Sequence, residues 1–144
     1  MPFSTHERKA SLSDIYRFML TSRLLDEKMM NLLRQGKSYF HIGAAGHEAA
    51  QVGAALAFQP GYDWCYPYYR DQAFVLTWGV TAAELLLLSL GRAQDPSSGG
   101  RQMPQHYGHK TLRVVSQSSP TGTQYLQAVR SEERRVGKEC RSRW

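Results

Sequence analysis

Cysteine and long apolar runs are scarce in this sequence of 144 residues. The two cysteines, Cys65 and Cys140, cannot form a disulfide framework, and their spacing is not that of a zinc site. The most apolar stretch, LLLLSL at residues 85–90, is far shorter than the roughly 20 apolar residues that span a bilayer. The first ten residues are polar and charged, unlike a signal peptide. These absences exclude a disulfide-rich secreted scaffold and a membrane protein, and they predict a cytoplasmic location.

The net charge of +6 is distributed unevenly. The last fifteen residues, RSEERRVGKECRSRW, carry six basic and three acidic side chains, so half of the excess charge lies in a tenth of the chain. The remainder has twelve basic and nine acidic residues, an ordinary balance. The basic segment raises the alternative of a nucleic-acid binder. We expect no nucleic-acid partner, because acidic residues interrupt the segment and no aromatic residue occurs in it before Trp144.

Apolar periodicity and capping residues predict helices over residues 11–34, 47–58, 70–78 and 82–90. Seven apolar residues of the first helix recur at spacings of three and four and therefore share a face: Ile15, Phe18, Met19, Leu25, Met29, Leu32 and Leu33. Ser11 or Ser13 suits the N-cap of this helix, and Gly36 suits its C-terminal cap. Thr81 and Glu84 have the spacing of a capping box at the start of the fourth helix.

Glycine and proline predict a loop over residues 94–110, followed by a short strand at 112–116, a hydroxyl-rich turn at 118–124 and a helix that begins at 125–129. We divide the chain into a flexible N-terminus at 1–10, one domain at 11–129 and a basic tail at 130–144. The tail lacks apolar periodicity and resembles translated vector or adapter sequence. It is therefore expected to be either foreign to the protein or disordered.

Taken one at a time, the polar motifs say little. An arginine beside tyrosines, such as Arg70 in YPYYRDQAF, is more often a structural partner than a functional group. His106 lies in a loop rich in glycine and proline, where functional residues concentrate. His41 and His47 lie six residues apart, which is not the helical spacing of the HExxH zinc motif, so a metal site there is not expected.

Taken in order, four blocks are informative: FHIGAAGHEAAQVG, DWCYPYYRDQAF, GRQMPQHYG and SSPTGTQ. They resemble the α portion of the E1 component of thiamine-diphosphate-dependent 2-oxoacid dehydrogenases, over about residues 16–129. The resemblance implies a truncated thiamine-diphosphate-binding α/β fold whose part present here is mostly helical, with few short strands. GRQMPQHYG is more similar to the branched-chain (2-oxoisovalerate) type than to the pyruvate type. A pyruvate- or acetoin-type E1 and a non-catalytic subunit-interaction fragment are the alternatives.

The resemblance also implies roles for particular residues. The positions implied for thiamine diphosphate are Tyr69, Arg70, Ser119 and Thr121, with Arg70 holding the diphosphate. The positions implied for the 2-oxoacid are Phe40, Tyr69, His106 and Ser119. The positions implied for a monovalent cation such as K⁺ are Ser118, Pro120, Thr123 and Gln124, whose oxygens are suitable hard ligands. No residue of this sequence is assigned a catalytic role.

The implied reaction is oxidative decarboxylation of a branched-chain 2-oxoacid, with transfer of the acyl group to the lipoyl group of E2. The implied partners are an E1 β portion, separate or fused, and E2, within a homo- or hetero-oligomer. The family's magnesium motif, which begins with Gly-Asp-Gly and ends with Asn, does not occur in this sequence, so the Mg²⁺ ligands are expected to be missing. We therefore expect the isolated chain to be inactive and unstable, with the apolar surface of residues 85–90 exposed.

Overall fold

The computed structural model describes residues 10–141, with side chains as far as residue 134. Within this range the chain forms five helices, which are α1 at Leu12–Arg34, α2 at Glu48–Leu56, α3 at Gln72–Trp78, α4 at Ala82–Ser89 and α5 at Thr123–Arg141. Helices α1, α2 and α3 pack against one another, and α4 packs against α1. The long connections between the helices carry most of the residues of the predicted site.

Helix α1 confirms the helix predicted over residues 11–34. Ser11 is its N-cap, and the Ser11 hydroxyl oxygen accepts a hydrogen bond from the Asp14 amide at 3.2 Å. The Asp14 carboxylate accepts in return from the Ser11 amide at 3.3 Å, which completes a capping box. At the other end Gly36 has a φ of 68°, the left-handed conformation that glycine adopts without strain.

Helix α4 begins with the predicted capping box. The Thr81 hydroxyl oxygen accepts from the Glu84 amide at 3.2 Å, and the Glu84 carboxylate accepts from the Thr81 amide at 2.7 Å. The expectation that the apolar surface of residues 85–90 is exposed is wrong. Leu85 and Leu88 are each only 2% exposed, because the inward face of α4 joins the core.

The core is built around Trp78 at the end of α3. Its indole N–H donates to the Leu112 carbonyl at 2.8 Å, and the Phe74 ring stacks on it with centroids 5.3 Å apart. The buried apolar residues that form one cluster are Leu25, Met29, Cys65, Val75, Leu76, Trp78, Val80, Leu85, Leu88, Tyr107 and Val114. This cluster ties the loop at residues 104–114 to the helices and so fixes where the loop's polar side chains lie.

Helix α3 starts two residues later than predicted, which matters for the site. Asp71 accepts a hydrogen bond from the Tyr68 amide at 2.9 Å, and the Asp71 amide donates to the Tyr68 carbonyl, also at 2.9 Å. Residues 68–71 therefore form a turn before the helix. Arg70 lies in this turn rather than in the first turn of the helix.

The short strand predicted at residues 112–116 is reduced to two isolated bridges in the described part of the chain. Val114 pairs with Cys65 in the parallel sense and with His109 in the antiparallel sense. A strand is defined by continuous pairing with a neighbour, and here each neighbour pairs over a single position. Residues 10–141 are thus helical without an extended strand, which agrees with a part of an E1 domain. The α/β fold as a whole stays a prediction.

Helix α5 continues through the boundary predicted at Val129. It runs from Thr123 to Arg141, so residues 130–141 are helical rather than irregular. The native or foreign origin of this segment stays a prediction, and the flexible N-terminus predicted at 1–10 lies almost entirely outside the described residues. Between residues 10 and 141, no helix combines the length and the apolar character that crossing a membrane requires.

Candidate functional site

Arg70 lies half-buried in the turn before α3. Its Nη1 atom donates to the carbonyl oxygen of Gly43, and its Cζ atom lies 5.8 Å from the centroid of the Tyr69 ring. Among the side chains described, no carboxylate pairs with Arg70. A guanidinium has more N–H donors than these contacts use, and it is always charged. The arrangement therefore leaves a fixed cation available to an anionic ligand.

Two polar side chains fix the turn that carries Arg70. The Gln51 amide nitrogen on α2 donates to the Arg70 carbonyl at 2.9 Å and to the Asp71 carboxylate at 3.2 Å. The Gln51 amide oxygen accepts from the Ala73 amide at 3.1 Å. Burial raises the pKa of Asp71, although the hydrogen bond from the Tyr68 amide opposes this shift. Gln51 thus joins α2 to the start of α3 and holds the backbone of Arg70 in place.

Tyr69 forms an aromatic wall beside Arg70. The Tyr68 and Tyr69 ring centroids are 4.0 Å apart, and the His106 ring lies nearly parallel to Tyr69 at 6.5 Å. The Tyr69 hydroxyl lies 3.5 Å from the Thr121 hydroxyl, and this hydrogen bond lowers the pKa of Tyr69. The structure therefore brings Tyr69, Arg70, His106 and Thr121 together from three separate segments of the chain.

His106 is buried, and its two ring nitrogens have different partners. Nδ1 lies 3.0 Å from the Pro104 carbonyl oxygen, which can only accept, so Nδ1 carries the proton. In the neutral ring Nε2 is therefore an acceptor, and it lies 2.7 Å from the Ser119 hydroxyl, which donates to it. Two of the predicted 2-oxoacid positions are thus in direct contact.

The turn at residues 118–124 collects hydroxyl and carbonyl oxygens. The hydroxyls of Ser118 and Thr123 are hydrogen-bonded to each other, and the Thr123 hydroxyl also donates to the Pro120 carbonyl at 2.9 Å. Three of the four predicted cation positions therefore lie within one turn. Gln124 follows in the first turn of α5.

Phe40 lies in the segment between α1 and α2. It is 37% exposed, and its carbonyl accepts from the buried Ser38 hydroxyl at 3.2 Å. The segment is tied to the His106 loop two residues later, where the Ile42 amide donates to the side chain of Gln105 at 3.1 Å. The structure thus links the segment that carries Phe40 to the loop that carries His106. Among the described residues, the two side chains share no hydrogen bond or ring contact.

Sequence reasoning missed three residues that organise this region, namely His41, Gln105 and Tyr107. The buried Tyr107 hydroxyl donates to the Tyr69 carbonyl at 3.3 Å, and burial raises the pKa of Tyr107 well above its usual value. His41 and Gln105 bond to each other across 64 positions of sequence. Local patterns give no signal for such contacts.

The residues described include no cluster of His, Cys, Asp or Glu side chains suited to hold a metal ion. The donors that converge here are instead a guanidinium, hydroxyls, an imidazole and backbone carbonyls. These groups fit an anionic, hydrogen-bonding ligand beside an aromatic wall.

The chain belongs to the family described as dehydrogenase E1 component, which it matches over residues 16–134. This match confirms the resemblance drawn from the four sequence blocks. The family is an enzyme family that depends on thiamine diphosphate.

Curated relatives show which E1 subunit the chain is similar to. Over 116 residues the chain is 51% identical to the 2-oxoisovalerate dehydrogenase subunit alpha of Bacillus subtilis, a match that covers 81% of this chain. It is 36% identical over 117 residues to the mitochondrial 2-oxoisovalerate dehydrogenase subunit alpha of Caenorhabditis elegans, again over 81% of this chain. It is 35% identical over 113 residues to the 2-oxoisovalerate dehydrogenase subunit alpha of Pseudomonas aeruginosa, a match that covers 78% of this chain. The similarity to E1 α subunits confirms the α portion as the part of E1 represented here.

The chain spans only part of each relative. The matched region covers 35% of the Bacillus subtilis protein and 27% of each of the other two. The residues described here therefore correspond to about a third or less of a whole subunit.

Proposed function

We propose that this chain supplies one wall of the thiamine-diphosphate site and of the substrate pocket in an E1 component that acts on branched-chain 2-oxoacids. The observation that carries the proposal is the convergence of Arg70, Tyr69, His106 and Ser119 from three separate segments. The resemblance of the sequence blocks implies a place in the site for each of these residues.

Arg70 is proposed to bind the diphosphate of the cofactor. Its guanidinium is held by the Gly43 carbonyl and has no carboxylate partner among residues 10–134. A planar, permanently charged donor suits phosphate oxygens. When bound, thiamine diphosphate supplies the nucleophile and electron sink for decarboxylation of the 2-oxoacid. The chain's own part is to orient the cofactor through Arg70 and Tyr69, together with Ser119 and Thr121.

His106 and Phe40 are proposed to contact the 2-oxoacid. With Nδ1 bonded to Pro104 and Nε2 to Ser119, a neutral His106 can accept a proton only at Nε2. Once Nε2 has taken up that proton, it can donate a hydrogen bond to a carboxylate. The exposed ring of Phe40 offers an apolar surface to a branched aliphatic chain, which supports the branched-chain type over pyruvate.

The turn at residues 118–124 is proposed to bind a monovalent cation such as K⁺. The Thr123 hydroxyl already lies within hydrogen-bonding distance of both the Ser118 hydroxyl and the Pro120 carbonyl. Oxygen atoms from hydroxyls and carbonyls are the donors that such ions prefer. A bound ion would tie the start of α5 to the turn and so steady Ser119 and Thr121.

The proposed partners are an E1 β portion and a lipoyl-bearing E2, which receives the acyl group. Large apolar side chains on the outer face of α1 support a subunit contact, and these are Leu12, Tyr16, Leu20 and Leu24, each more than 40% exposed. We further propose that the protein is cytoplasmic.

The proposal is tested on the complete α chain assembled with its β chain. Decarboxylation of 2-oxoisovalerate and of pyruvate is followed with an artificial electron acceptor, with and without thiamine diphosphate. We expect cofactor-dependent turnover with a higher kcat/KM for 2-oxoisovalerate. A preference for pyruvate would reject the branched-chain assignment. If the assembled protein does not bind thiamine diphosphate, the proposal fails and the chain is a subunit-interaction module.

A further inference from the structure

Gln105, which immediately precedes His106, has an unusual environment. It is 3% exposed and has a φ of 60°, the left-handed region that few residues other than glycine adopt. A long polar side chain is seldom buried unless its hydrogen bonds are satisfied. Both ends of the Gln105 amide have partners in a segment more than sixty residues away, and Nε2 also lies 3.5 Å from Sδ of Met29 on α1.

The partners determine how the amide is oriented. The backbone N–H of Ile42 can only donate, and it lies 3.1 Å from the acceptor of the Gln105 amide, so that atom is the oxygen Oε1. The nitrogen Nε2 consequently faces His41, whose Nδ1 lies 2.9 Å away. Nε2 can only donate, so Nδ1 of His41 is the acceptor. The orientation of Gln105 follows from the chemistry of its two partners.

His41 extends this contact to α1. Its side chain is completely buried, and with Nδ1 accepting, the neutral ring carries its proton on Nε2. That nitrogen lies 3.1 Å from Oδ1 of Asp26, although the approach is too oblique for a hydrogen bond. The same Asp26 oxygen accepts from the Ala44 amide at 3.0 Å. Gln105 and Asp26 therefore hold two amides of one segment, at Ile42 and Ala44.

We infer that Gln105 is a positioning residue that sets the distance between His106 and the segment carrying Phe40. Phe40 lies two residues before the held amide of Ile42, and His106 follows Gln105 directly. These are the two residues proposed to contact the 2-oxoacid, so this inference rests on the proposed function. Arg70 bonds to the same segment at Gly43, but the next amide, at Ala44, is held by Asp26. Gln51 holds the backbone of Arg70 from α2, so we expect Gln105 to act mainly on the substrate pocket.

The test compares Gln105→Gly with Gln94→Gly in the complete α chain assembled with its β chain. Glycine adopts a φ of 60° without strain, so Gln105→Gly removes the side chain and keeps the backbone. Gln94 is exposed in the loop after α4, so Gln94→Gly is the control for a glutamine-to-glycine change at an exposed position. We expect Gln105→Gly to raise the KM for 2-oxoisovalerate about tenfold, the cost of losing one or two buried hydrogen bonds. The kcat, the affinity for thiamine diphosphate and all properties of Gln94→Gly should stay within about twofold of wild type.

A second measurement does not depend on the enzyme assignment. Hydrogen–deuterium exchange should become faster in peptides covering residues 38–44 of Gln105→Gly, while peptides from α4 exchange as in wild type. Unchanged exchange at residues 38–44 overturns the positioning role. A parallel loss of cofactor affinity and substrate affinity overturns its restriction to the pocket. If Gln105→Gly shows the expected faster exchange but the wild-type protein turns over no 2-oxoacid, the proposed function fails. The substrate role of Gln105 is then rejected with it.

Discussion

The Nε2 atom of His106 lies 2.7 Å from the hydroxyl oxygen of Ser119, which joins the loop after α4 to the turn before α5. The second nitrogen of the ring is occupied by the Pro104 carbonyl, so the contact fixes both the tautomer of His106 and the direction of the Ser119 hydroxyl. Two segments that share no secondary structure are thereby held as one surface.

This contact should be measurable as an energetic coupling. We expect His106→Phe and Ser119→Ala each to reduce kcat/KM for 2-oxoisovalerate, and the double variant to lose less than the sum of the two. The expected coupling is about 1 kcal/mol, the usual net contribution of such a hydrogen bond. Steady-state kinetics of the four proteins provides the cycle. Strict additivity would mean that the two residues act independently.

Replacing Arg70 with lysine should weaken binding of thiamine diphosphate by roughly 10- to 100-fold, because the charge remains but the forked donor geometry is lost. Calorimetric titration of the assembled protein measures this directly. The matched control is Arg113→Lys, since the Arg113 guanidinium lies 5.6 Å from the ring centroid of Trp64, outside the proposed site. Equal affinities for wild type and Arg70→Lys would remove Arg70 from the diphosphate site.

Cys65 should be almost unreactive in the folded protein. Burial, together with the nearby charge of Asp71, raises the pKa of its thiol from the ordinary 9.0 to about 12. At pH 8 the native thiolate fraction is then about a thousandfold below that of the unfolded chain, and alkylation should slow accordingly. The rate of iodoacetamide labelling is measured by mass spectrometry in a Cys140→Ser background, with and without urea. Equally rapid labelling in both conditions would contradict the buried position.

The same thiol predicts a pH dependence of stability. Because its folded pKa lies above its unfolded pKa, its contribution is fully present below pH 9 and is lost as the pH rises toward 12. Across that window the free energy of unfolding should fall with pH more steeply in wild type than in Cys65→Ala. The difference between the two slopes should be about 1.4 kcal/mol per pH unit. Urea unfolding of the complete α chain assembled with its β chain, as wild type and as Cys65→Ala, between pH 8 and pH 11 gives the comparison. Parallel curves would show that Cys65 does not titrate differently on folding.

The 144-residue chain alone should aggregate. Leu12 is 85% exposed and Leu24 is 55% exposed on the outer face of α1, and α5 adds Leu126 at 75%. Large apolar side chains exposed in this number favour association with a partner or aggregation. Light scattering and a thermal scan of the purified chain test the expectation, and Leu20→Lys combined with Leu24→Lys should reduce the scattering. A monomer with a cooperative thermal transition would contradict it.

Helix starts were the most predictable part of this fold. The capping box at Thr81–Glu84 lies where it was predicted, and Ser11 is one of the two N-caps predicted for α1, since a cap depends on contacts within four positions of sequence. The strand at residues 112–116 was not predictable in the same way. Its residues have strand propensity, but a strand forms only where a neighbour pairs with it, and here that neighbour pairs at single positions.

The sequence by itself determined the family, the helix boundaries set by local caps, and the identity of the residues expected to meet at the site. The helix boundaries follow from residue type and spacing along the chain, whereas the family and the expected site residues follow from the resemblance of four sequence blocks to E1 α subunits. Only the tertiary structure decided that His106 bonds to Ser119, that Gly43 holds Arg70, and that Gln105 joins the segment at residues 38–44. Hydrogen bonds between residues distant in sequence depend on how the helices and loops pack, and packing is a property of the whole chain that no local pattern encodes.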